Sequence, residues 1–116
     1  MNTNEKIATW LGMKKLTKNA YERKIDGGYK YYFLDFLHDR NQQKWIEDKL
    51  EKEEYWIEYL YNTDAKIWLV FIHKNENMYR TDYHLIQIRT MNKERNLAFI
   101  SAVEQLIDKE NDNQKK

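Results

Sequence analysis

The chain has 116 residues, of which 41% are hydrophobic, 34% charged and 15% aromatic, with no cysteine and a formal net charge of +1. This fits one folded domain with a ring-rich core and excludes a disordered chain, while the missing cysteines exclude disulfides and thiolate metal sites and suit a reducing cytosol. With 20 basic side chains against 19 acidic ones no global field draws the chain to a polyanion, and no apolar run approaches the roughly 20 residues that span a bilayer.

The opening MNTNEK lacks the apolar centre of a signal peptide, so an intracellular protein is expected. Asn4 can cap a short helix through Leu11, with Ile7, Trp10 and Leu11 on one side and Gly12 placed to end it in the left-handed conformation. A helix this short must dock on something larger. From Met13 onward the pattern is weak and the charge positive, at Lys14, Lys15, Lys18, Arg23 and Lys24, which reads as loop with a strand near Tyr21 to Ile25. Asp26-Gly27-Gly28 signals a turn, because glycine reaches positive φ without a Cβ clash, and Tyr29 to Phe33 follows as a short extended segment. Asp39 and Gln42 form a capping-box pattern for a helix over residues 40 to about 52. That helix is amphipathic, with Trp45, Ile46 and Leu50 on one face and Glu47, Asp48, Glu51 and Lys52 on the other.

Residues 54 to 89 read as three consecutive antiparallel strands, rich in β-branched and aromatic side chains and interrupted by turn formers at 62–65 and 75–77. Tight loops there would set Tyr61 opposite Lys66, Tyr59 opposite Trp68, His73 opposite Tyr79 and Trp68 opposite His84. One face would carry Leu60, Ile67 and Leu85, then Trp56 and Phe71. The other would carry Tyr59, Trp68 and His84, then Ile57 and Val70, then Tyr55 and Ile72. The middle strand, Ile67 to Ile72, is apolar on both sides and so should be covered on both. Asn92 can cap a last helix over 93 to about 109, with Leu97, Ile100, Ala102, Val103, Leu106 and Ile107 as its stripe. From Glu110 the tail is polar and should fray.

The expected fold is therefore α+β: an antiparallel sheet of three or four strands in an α-β-β-β-α core, preceded by an N-terminal helical arm. It forms one domain over 1–109, with 110–116 a disordered charged tail. Short connections favour both long helices on one sheet face, leaving the arm, with Trp10, Tyr29 to Phe33 and Phe36, to cover the other.

Three fragments resemble the phage ABA sandwich domain family: the opening NEKIATWLG, the segment DGGYKYYFLDFLHDRN in which Asp35-Phe36 and Asp39 lead into a helix, and the closing RNLAFISAVEQLI. The resemblance spans most of the chain in the same element order, although Leu34 stands where the family tends to have proline. It implies a small phage or prophage protein, with helices on both faces of an antiparallel sheet. It supplies no catalytic residues.

Read for chemistry, the chain offers three histidines, His38, His73 and His84, but the expected register sets the two strand histidines several rows apart, which suits structural or surface roles. The carboxylates Glu47, Asp48, Glu51, Glu53 and Glu54 read as a solvated helix face, and no pair is spaced for acid–base work. Gly27-Gly28 lacks the lysine and strand-to-helix context of a phosphate loop. No catalytic residue, metal or cofactor is expected. Two binding readings stand above this background. Tyrosine is enriched at interfaces, and Tyr29, Tyr31, Tyr32, Tyr59, Tyr61 and Tyr79 are candidates for a protein-binding or small-ligand surface, unless they line the sheet beneath the arm. The element order is also that of double-stranded-RNA-binding domains, in which Lys93 and Arg95 at the start of the last helix would meet phosphates; Glu94 stands between them and no lysine cluster follows. The expected role is non-enzymatic: a phage accessory protein in the host cytoplasm, not in a membrane, that binds a host or phage protein stoichiometrically as a counter-defence inhibitor, or acts as a sponge for a signalling nucleotide. Double-stranded nucleic-acid binding is the alternative, and a homodimer through an exposed strand edge is open.

Overall fold

A capping side chain two residues earlier than expected starts the first helix. In the computed structural model, which describes residues 2–75 and 84–114, α1 spans Thr3–Trp10, and Asn2 rather than Asn4 accepts the N–H of Glu5 at 2.8 Å. Asn4 is a tertiary tie instead, donating to the Leu34 carbonyl at 3.2 Å and accepting from the Phe36 N–H at 3.4 Å. The helix ends as expected at Gly12, whose φ of +80° lets Met13 N–H reach back to the Ala8 carbonyl at 2.9 Å, a closure that satisfies the last carbonyls.

The segment read as loop plus strand is a small antiparallel sheet. Its strands β1 (Lys14–Lys15), β2 (Ala20–Ile25) and β3 (Gly28–Phe33) lie in that order, so β3 is an edge, and the β2–β3 turn uses Gly27 at φ +90°. The sheet docks through its inner face: Tyr21 is buried, Tyr32 meets Trp45 edge-on at 4.7 Å, and the Arg23 guanidinium sits 4.5 Å over the same indole.

Trp45 belongs to α2 (Arg40–Lys52), which has the predicted bounds and the predicted cap, Asp39 accepting the N–H groups of Asn41 and Gln42. The reciprocal half of the capping box is replaced. Gln42 turns inward, accepting from Asp35 N–H at 2.7 Å and donating to the Phe33 carbonyl at 3.0 Å, so that it fixes the loop between β3 and α2.

The large sheet holds β4 (Tyr55–Asn62), β5 (Ile67–Asn75) and β6 (His84–Asn92), antiparallel, with β5 in the middle. The registers differ from the expected ones. Tyr61 pairs with Trp68 and Tyr59 with Val70, a slip of two residues, which leaves every side chain of β4 and β5 on its expected face because the pleat repeats every two. Between β5 and β6 the slip is larger: Trp68 faces Asn92 instead of His84, and His73 faces Ile86 instead of Tyr79, which lies outside the described residues. The cause is that Asn75 does not turn but continues the ladder to His84, with a bulge between Ile72 and His73.

Both long helices pack on one face of this sheet, as expected. α2 lies against β4, while α3 (Arg95–Gln114) lies against β5 and β6 and is itself flanked by α1. Ala98, Phe99, Ala102, Val103 and Leu106 of α3 form one buried cluster with Val70, Ile72 and Ile88 of the sheet and with Ile7, Ala8, Ile46 and Leu50 of the other helices. Each large apolar side chain buried this completely contributes roughly 1.5–3 kcal/mol. Thr90 adds a buried tie, donating to the Ala98 carbonyl at 2.6 Å.

Two further expectations do not hold. The arm does not cover the second face of the large sheet, because its strands pair with one another and dock on α2; on that face Leu60 and Met91 are 46% and 62% exposed. The polar tail does not begin at Glu110 either. α3 continues to Gln114, and Glu110 has something to hold: its carboxylate accepts from Trp10 Nε1 at 3.1 Å and from the Tyr55 hydroxyl at 3.2 Å.

Candidate functional site

Alternation along β3 decides which of its aromatics meet solvent. Tyr29, Tyr31 and Phe33 share the outer face and are 63%, 66% and 78% exposed, whereas Tyr32 points inward onto Trp45. Side chains two apart on a strand stand about 6.6 Å from one another, so the three make a continuous aromatic ladder along a sheet edge. Across from them on β2 stand Lys24, Glu22 and Ala20, and Lys14 of β1 pairs with Glu22. Residues 14 to 33 contain six basic side chains and two acidic ones, a local +4 in a chain of net +1, so the rest of the molecule is net negative. The ladder therefore sits on the cationic part of the protein.

The other expected tyrosines do not join it. Tyr59 is half-buried in the large sheet, 6.3 Å from the Phe99 ring and beneath the Arg95 guanidinium at 4.3 Å; burial holds its phenol above the usual tyrosine pKa. Tyr61 is exposed at the far end of β4 and rests on Trp68 at 5.0 Å, and Tyr79 lies outside the described residues. Phe33, the most exposed of the large apolar side chains among the described residues, was missed by reading for tyrosine; the i, i+2, i+4 spacing of Tyr29, Tyr31 and Phe33 is the signal that finds it.

The start of α3 is built differently from a phosphate clamp. Asn92 accepts the Glu94 N–H at 2.9 Å, Lys93 is exposed, and Arg95 is laid back over Tyr59. Arg95 instead borders a cleft of about 580 Å³ between α2 and β4, together with Arg40, Glu47 and Glu51. Two guanidinium groups against two carboxylates leave that cleft without the net positive charge an anionic ligand needs. A second groove, about 470 Å³, runs between α1 and α3, where Lys6 pairs with Asp108 at 3.1 Å and Glu104 at 3.6 Å and Thr3 donates to Glu104 at 2.6 Å. The hydrogen bond to Asp108 raises the Lys6 pKa. These contacts fasten one helix to the other.

Two of the three histidines have described local partners. His38 is exposed beside Asp35 at 3.0 Å, and His73 is buried, stacked on Trp56 at 4.0 Å with Nε2 3.2 Å from Glu58. Among the described residues no three His, Asp or Glu side chains gather to hold a metal, and no helix is long and apolar enough to cross a membrane. Comparison of the chain with protein-family models, with curated proteins and with solved structures gives no match.

Proposed function

We propose that the protein works by stoichiometric binding rather than turnover, and that it presents the outer face of the small sheet to a protein partner. The observation that carries this reading is the ladder of Tyr29, Tyr31 and Phe33, each more than 60% exposed on an edge strand. Soluble proteins seldom leave contiguous aromatic surface in water without a use for it, and large rings that bury much area at little rotamer cost are the usual anchors of interfaces. Lys14 and Lys24 on the same face favour a partner whose surface is acidic around an apolar centre. The resemblance to phage ABA sandwich domains supports the finer reading of a phage accessory factor, active in the host cytoplasm, that blocks a host defence protein. The nucleic-acid alternative draws less support, since Arg95 is engaged with Tyr59.

The test is affinity capture from bacterial host lysate with the whole chain as bait, run beside the Y29A/Y31A/F33A variant and the K14A/K24A variant. A protein retained by the parent, lost by the triple variant and released at lower salt by the lysine variant is the expected result. Equal capture by parent and triple variant would remove this surface from the proposal. Retention of duplex nucleic acid by the parent, abolished by K93A, would favour the alternative.

A further inference from the structure

We infer that the open face of the large sheet is where two copies of this chain meet, face to face, about a two-fold axis running along β5. The face carries two complete rows across the three strands. The first is Leu60–Leu69–Met91, apolar throughout, with its two ends 46% and 62% exposed. The second is Glu58–Phe71–Arg89, an aromatic ring with an acid on one side and a base on the other. Of the β5 side chains on this face, Ile67, Leu69 and Phe71 are apolar and none of the three is buried, while His73 at the other end of the strand, beside Trp56, is buried. A strand that is apolar on both sides is normally covered on both.

The arrangement of charge identifies the occupant. Neighbouring strands are about 4.8 Å apart, so Glu58 and Arg89 stand at equal distances on opposite sides of Phe71. A two-fold axis parallel to β5 exchanges left and right, which sets each Glu58 over the partner's Arg89, stacks Phe71 on the partner's Phe71, and sets Leu60 over the partner's Met91. An axis across the strands would oppose Glu58 to the partner's Glu58 if it passed through this row, or to the partner's Leu60 if it passed between the rows, and in neither case would the carboxylate meet the partner's Arg89. Packed sheets lie about 10 Å apart, a gap that a glutamate and an arginine reaching toward each other can close. The contact of Glu58 with His73 Nε2 at 3.2 Å holds the carboxylate beside this row. A face three strands wide and two or three rows deep is small beside a standard interface, so association should depend on concentration over the micromolar range.

Sedimentation velocity on the whole chain, from roughly 1 to 200 µM, tests this. The expected result is a reversible dimer that M91K and L60K/M91K disperse. Reversing one charge, E58R or R89E, should weaken association at least about tenfold by opposing like charges twice, and E58R/R89E should return it to within about threefold of the parent. These positions are on the open face, and circular dichroism should show each variant folded. A parent that is monomeric throughout, a dimer indifferent to M91K and R89E, or a double reversal that fails to recover association would each overturn the inference. The Y29A/Y31A/F33A variant should still dimerise; loss of the dimer there would move self-association to the small sheet and overturn it as well.

Discussion

Trp10 and Glu110 stand 100 positions apart and are joined by a 3.1 Å hydrogen bond from the indole N–H to Oε2. The other oxygen of the same carboxylate accepts from Tyr55 at 3.2 Å, so a single side chain near the end of α3 ties α1 and β4 to it. Lys49 of α2 lies 4.9 Å over the Trp10 ring and brings the fourth element to the same place. Hydrogen bonds to a partly buried carboxylate are stronger than neutral ones, and E110A should cost about 1–3 kcal/mol in urea unfolding. E110Q, which keeps one acceptor oxygen, should lose less.

The same junction makes the protein sensitive to alkali. The Tyr55 phenol is pushed up to about 12, first by burial and then by the negative charges of Glu110 and Glu53, so the folded state favours the neutral form. Its contribution is present in full below the ordinary tyrosine pKa near 10 and is lost as pH climbs from there through about 12. The urea midpoint of the parent should fall across this window, and Y55F should fall less steeply. A Y55F midpoint that tracks the parent would place the alkaline transition elsewhere.

The sequence was most legible where local chemistry acts on its own. Asp39 before Arg40, Gly12 after Leu11 and the Asp26-Gly27 turn each do in the fold what their side chains dictate over three or four residues. The faces of β4 and β5 were legible too, because hydrophobic alternation survives a slip of two. What was hidden depends on distant parts of the chain. Asn75 has turn-forming chemistry, yet pairing with His84 carries it into the ladder. The pairing of β1 with β2 involves just Lys14 and Lys15, a dipeptide with no strand signal of its own, so the arm read as loop. Glu110 read as tail since nothing local shows that Trp10 and Tyr55 converge on it. The candidate surface was half legible: Tyr29 and Tyr31, named by residue type, lie on the outer face of β3, Tyr32 faces Trp45 instead, and Phe33 was not among the residues named.

Phe33 and Phe36, three positions apart, should respond oppositely to truncation. Phe36 is fully buried among α1, α2 and the core, 6.5 Å from the Trp45 ring, and F36A should cost about 3–5 kcal/mol through lost burial and the cavity left behind. Phe33 is 78% exposed, and F33A should change stability by no more than about 0.5 kcal/mol while abolishing capture of the partner. A large stability loss in F33A would mean that the ladder is structural.

Gln42 links the core to that ladder. Its side chain is 4% exposed and satisfies two backbone groups at once, accepting from Asp35 N–H and donating to the carbonyl of Phe33 itself. In Q42A both groups lose their partner in a partly buried site, which should cost about 1–3 kcal/mol and loosen the end of β3. Q42E keeps the acceptor but sets a carboxylate against the Phe33 carbonyl, a repulsion that ends once the carboxyl is protonated and can donate. The Q42E penalty should therefore be largest near neutral pH and shrink on acidification, because the folded state raises that carboxyl's pKa and gains from the bound proton. Urea unfolding of Q42E and Q42A at mildly acidic and at neutral pH separates the cases: a Q42E penalty that does not shrink relative to Q42A would mean that the donated bond to Phe33 contributes nothing, and that the edge strand is held by its ladder with β2 alone.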